Sequence, residues 1–181
     1  MKKRIVLLVL VSLLMSGCLF PSDNGGSANT ALYAEEILTM NDNDLYSVLV
    51  TNFMGIDPST LNQKQQTVAA LVTFDAEMMN GGLCQFFVND HVGCAQYVGE
   101  ALGEVGARSL QTHYTSFIDQ NAIDLTKMDS FRILSIQGYQ KQYERFPYEA
   151  FDTAFSEIYQ TENLGDLLLS YVRLHSDEIS G

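Results

Sequence analysis

From Ala31 onward, apolar residues return every three or four positions rather than every second, the period of α-helices with one face turned inward. Leu45, Val48, Leu49 and Phe53 form one stripe, closed by Gly55 and Pro58. A longer stripe of Val68, Leu71, Val72, Met78 and Met79 predicts a helix beginning near Asn62. Val98, Ala101, Leu102 and Val105 form a third, ending at Gly106, and Leu110, Tyr114, Phe117 and Ile118 a fourth. Phe131, Leu134, Tyr139 and Tyr143 predict a helix before Pro147; Phe151, Phe155 and Ile158 predict a short one after it. Leu167, Leu168, Tyr171 and Leu174 mark the last, with Asn163 placed to cap it. No useful alternating β-branched run and no internal repeat interrupts this series. The pattern predicts one all-α, multi-helix domain over residues 31–181.

The preceding residues follow a different logic. Lys2, Lys3 and Arg4 lead into an apolar run from Ile5 to Met15, followed by Ser16-Gly17-Cys18. That is the layout of a secretory signal, and the run is too short for a span of about 20 residues. Small residues directly before a cysteine resemble a bacterial lipoprotein signal, which implies a leader over residues 1–17 and lipidation of Cys18. Leu19 follows, with no Asp to hold the protein at an inner membrane, so sorting would favour the outer one where two exist. Residues 18–30, bearing the run Pro21 to Thr30 without bulky apolar side chains, then read as a flexible tether.

Charge sharpens the picture. The 181 residues carry 22 acidic and 10 basic side chains, a net −12. Three of the ten basic residues lie in the leader, so the processed chain keeps seven against 22, a net −15. Direct nucleic-acid binding is disfavoured, because phosphate contacts need clustered Lys and Arg. No cation occurs from Phe146 to Val172, where Glu149, Asp152, Glu157, Glu162 and Asp166 stand as a candidate surface for a basic partner.

Catalytic signatures are missing from the sequence. His91, His113 and His175 lie far apart, outside any zinc spacing, and neither a nucleophile elbow nor a phosphate loop occurs. No catalytic, cofactor or metal residues are assigned. Asp75 and Glu77 point about 200° apart on a helix and cannot converge. Glu100 and Glu104 share a face, with Glu104 expected near Arg108. Cys84 and Cys94 are compatible with a disulfide in an exported protein and equally with two buried thiols.

Two adjacent glycines, Gly81 and Gly82, inside an apolar helical pattern cost about 1 kcal/mol each relative to Ala, and so imply a break or a close backbone approach. Gln85 and Asn89 are placed to hydrogen-bond backbone freed there, Asn80 to support the bend, and Phe86 and Phe87 to anchor it in the core. The stretch from Phe74 to Asn89, with Glu77, Asn80-Gly81-Gly82, Gln85, Phe86-Phe87 and Asn89, resembles the family named after a bacterial DNA mimic protein. Glu100-Ala101-Leu102, Gly106-Ala107 and the run Leu167 to His175 extend the likeness over residues 65–175.

The resemblance implies a noncatalytic acidic helical protein that presents carboxylates as a duplex presents phosphates. Fifteen charges would imitate about 26 Å of DNA if they shared one face. The lipoprotein signal separates such a protein from a cytoplasmic transcription factor. The leading expectation is therefore a lipid-anchored module of the bacterial envelope that engages a basic protein. The alternatives are mimicry toward a DNA-binding protein, immunity against a basic toxin, and, least favoured, a hydrolase using Glu77 or Glu100.

Overall fold

A computed structural model describes residues 31–133 and 135–180, which fold as α-helices joined by turns, with no strand among them. The helices are α1 (Ala34–Thr39), α2 (Asp42–Phe53), α3 (Gln63–Asn89), α4 (Ala95–Glu104), α5 (Arg108–Gln120), α6 (Ile136–Tyr143), α7 (Tyr148–Tyr159), α8 (Leu164–Leu174) and α9 (Ser176–Ile179). Short 3-10 turns lie at Pro58–Thr60 and Met128–Phe131. The lipoprotein leader, Cys18 and the tether lie outside the described residues, as does Leu134.

Helix α3 is the axis. Every residue from Thr67 to Asp75 is buried, as a helix must be when neighbours cover all its sides. α2, α4, α7 and α8 pack around it, and α5 closes against α4 and α7. Phe74 sits at the centre, edge-on to Phe86, Tyr114 and Phe155 at 5.1, 5.5 and 5.8 Å between ring centroids. These contacts join both halves of α3 to α5 and α7.

Local signals set the helix ends. Asn62 caps α3 by accepting from the Gln65 amide at 3.0 Å, while the Gln65 side chain accepts in return from the Asn62 amide at 3.3 Å. The same two side chains donate to the carbonyls of Glu178 and Ile179, fastening α9 to the start of α3. Gly106, at φ +84°, ends α4, and Asn163 caps α8.

The pattern erred where tertiary contacts decide. Met79 and Leu174 belong to predicted apolar stripes, yet they are 58% and 78% exposed. Phe131 is buried, but in the 3-10 turn rather than in α6. Helices α1 and α9 are too short to announce themselves by period; they stand because they pack on one another, with Ile37 and Ile179 buried.

Candidate functional site

The break implied by Gly81-Gly82 lies at Gly82, whose φ of +77° and ψ of −173° divide α3 into two segments. A break frees backbone amides, and a helix start attracts negative charge. Asp152 of α7 meets both needs: its Oδ1 accepts from the Leu83 amide at 2.9 Å. The carboxylate lies so close that a Cβ on Gly82 would stand 2.6 Å from Asp152 Cγ. Positive φ and close approach thus both require glycine here.

Glu77, before the break, is 8% exposed, and its Oε2 accepts from Gln85 Nε2 at 2.8 Å and Asn89 Nδ2 at 3.0 Å, both beyond the break. Gln85 and Asn89 therefore bond a carboxylate rather than freed backbone. A Cβ on Gly81 would meet Gln85 Cδ at 2.6 Å, so Gly81 makes room for the brace. Phe86 and Phe87 are fully buried, whereas Asn80 is exposed. Glu77, Gln85 and Asn89 thus bind one another and brace the bend, and Asn80 takes no part in the brace.

Further carboxylates are engaged internally. Asp75 accepts from the hydroxyls of Tyr46 at 2.6 Å and Tyr159 at 3.1 Å. Burial raises its pKa above the ordinary aspartate value, a shift those two hydrogen bonds oppose. Asp152 is shifted the same way by burial, opposed by the Leu83 hydrogen bond and nearby His113. His113 stacks on Phe151 at 4.1 Å and donates through Nε2 to the Phe151 carbonyl at 3.0 Å. Asp90 accepts from the amides of Cys94 and Ala95 at the start of α4, and Glu162 from those of Ser109 and Leu110 at the start of α5.

The five acids of the 146–172 interval consequently divide. Asp152 and Glu162 are partly buried helix-terminal acceptors, whereas Glu149, Glu157 and Asp166 are exposed and make no salt bridge among the described residues. Glu149 and Glu157 flank a shallow face of α7 floored by Pro147, Ala150, Thr153 and Ala154. Glu104 pairs with Lys64 at 3.5 Å, not with Arg108, whose guanidinium donates to Gln111. Glu100 and Glu104 also line a cleft of about 320 Å³ between α3 and α4, with Gln63, Gln66, Thr67, Tyr97 and Ala101.

Cys84 and Cys94 are free, so the bridge weighed from the sequence is not made. Cys84 lies beside Tyr139 and Cys94 beside Thr73, each fully buried, and burial pushes both thiols up to about 12. Such thiols are unreactive. His91 is exposed, and His175 bonds Glu178 at 3.0 Å. Among the described residues no three His, Cys, Asp or Glu side chains converge to hold a metal.

No curated protein and no solved structure matches the chain. A family model described as DMP19-like protein matches residues 59–175, from just before α3 to the end of α8. The matched region contains the braced bend, its Asp152 acceptor and the Glu162 contact, while α1 and α2 lie before it and α9 after. That span is more than half of the sequence, and the chain belongs to the DMP19-like protein family.

Proposed function

We propose that the chain is a noncatalytic acidic binding module that occupies the DNA-binding surface of a basic protein, in the manner its family's DNA-mimic name denotes. The family match carries this reading. The division of the carboxylates supports it: buried acids hold the fold, while Glu149, Glu157 and Asp166 remain exposed on α7 and α8 in a stretch without a single cation. An unopposed field of that sign steers a basic protein toward the surface and repels nucleic acid. A hydrolase role for Glu77 is disfavoured by its engagement with Gln85 and Asn89.

Displacement tests the reading. Titrated into a complex of labelled duplex DNA with a basic DNA-binding protein, the chain should release the duplex, with an affinity that falls steeply as salt rises. A duplex that stays bound at every concentration would refute it.

A second reading concerns place and rests on Lys2-Lys3-Arg4, the apolar run and Cys18. In it the chain is lipidated at Cys18 and anchored in the bacterial envelope, and the partner is a basic protein met there, a basic toxin included. Fractionation and mass determination beside a Cys18→Ser variant test this. The wild type should be acylated and membrane-bound and the variant released; an unprocessed, unanchored wild type would refute it.

A further inference from the structure

The cleft between the start of α3 and the end of α4 is built by two helical faces. Gln63, Gln66 and Thr67 stand at i, i+3 and i+4 on α3; Tyr97, Glu100, Ala101 and Glu104 stand at i, i+3, i+4 and i+7 on α4. Small side chains, Thr67 and Ala101, lie where the faces meet, and long polar ones line the rim. A gap of about 320 Å³ results, open to solvent on one side.

Its chemistry is that of an acceptor site. Lys64 neutralises Glu104 at 3.5 Å, which leaves Glu100 as the uncompensated charge. Glu100 is exposed, and among the described residues no hydrogen bond or salt bridge engages its carboxylate. Gln66 donates through Nε2 to the Leu61 carbonyl at 3.0 Å, which fixes the amide and leaves its oxygen available to accept. Tyr97 adds an aromatic wall one turn before Glu100. The two helices lie antiparallel here, with the Lys64–Glu104 pair joining the start of one to the end of the other, so their opposed terminal dipoles offset one another.

A carboxylate, an amide oxygen and an aromatic ring lining one gap suit a flat cation with several divergent donors. We propose that this cleft receives a guanidinium group, the side chain of an arginine on the basic partner. The arginine's origin rests on the function proposed above; the site itself does not. Guanidinium pairs with a carboxylate through two parallel hydrogen bonds and stacks on an aromatic ring, whereas an ammonium does neither in that fixed plane.

The experiment is an amide NMR titration of the full chain with N-acetyl-arginine amide, its neutral citrulline counterpart and N-acetyl-lysine amide. The arginine probe should give saturable shifts confined to residues around Gln66, Tyr97 and Glu100. Affinity should fall about tenfold in Glu100→Gln, corresponding to one lost charge-assisted pair, and stay unchanged in Glu144→Gln, an exposed acid outside the cleft. The lysine probe should bind more weakly and the citrulline probe not at all. Linear shifts spread over the acidic surface, equal response to citrulline or lysine, or indifference to Glu100→Gln would each overturn the site. If the arginine probe behaves as stated but no duplex is released from a DNA-binding protein, the functional reading falls and the cleft stands.

Discussion

The Asp152 carboxylate accepts the Leu83 amide proton at 2.9 Å across 69 residues of chain, so a side chain of α7 caps the second segment of α3. Asp152→Ala would leave that amide without its acceptor in a half-buried site, at a cost of about 1–3 kcal/mol. Urea unfolding should show this loss. Glu149→Gln, one turn earlier and exposed, should leave the midpoint within error.

Gly82→Ala combines a left-handed backbone with a Cβ driven into Asp152, and at least about 2 kcal/mol of stability should be lost. Gly81→Ala acts differently, because the obstruction is the Gln85 side chain. In a double-mutant cycle, Gly81→Ala should destabilise the wild type more than it destabilises a Gln85→Ala background. Equal costs in both backgrounds would show that Gly81 does not serve the brace.

These two glycines show what was legible in the sequence. A break inside an apolar helical period was readable, as were the helix start near Asn62, the cap at Asn163 and the stop at Gly106, because each is encoded within a few neighbouring residues. The use of the carboxylates was not. Glu77 meets Gln85 and Asn89 only once the bend exists, and Asp152 and Glu162 reach their amides from 69 and 52 residues away. A window without cations therefore looked like one acidic surface, although two of its five members are internal acceptors. The exposure of Leu174 and Met79 eluded the period for a related reason: it assigns a face but not the neighbour that covers it.

Asp75 gives a pH dependence of known sign. Its folded pKa lies above the unfolded value of about 3.8, so its contribution is fully present below that value and is lost as pH rises through the folded pKa. Against the wild type, Asp75→Asn should become relatively more stable as pH rises from 4 toward 7. Denaturant melts of both chains across that range provide the check, and a difference independent of pH would contradict the shift.

With thiols pushed up to about 12, Cys84 and Cys94 should resist alkylation at pH 8 in the native state and react only on unfolding. Intact mass after iodoacetamide treatment, with and without denaturant, reads this directly. The native oxidised protein should also lack the mass change of an internal disulfide.

The claim that exposed rather than buried carboxylates engage a basic partner is tested most directly by duplex displacement with two sets of variants. In one, Glu149→Gln, Glu157→Gln and Asp166→Asn are combined; in the other, Asp75→Asn alone removes an internal charge. The account predicts that the triple variant keeps its melting temperature within a few degrees yet needs at least about tenfold more protein to release labelled DNA from a basic DNA-binding protein. Asp75→Asn should release DNA as the wild type does. Equal displacement by the wild type and the triple variant would contradict the account.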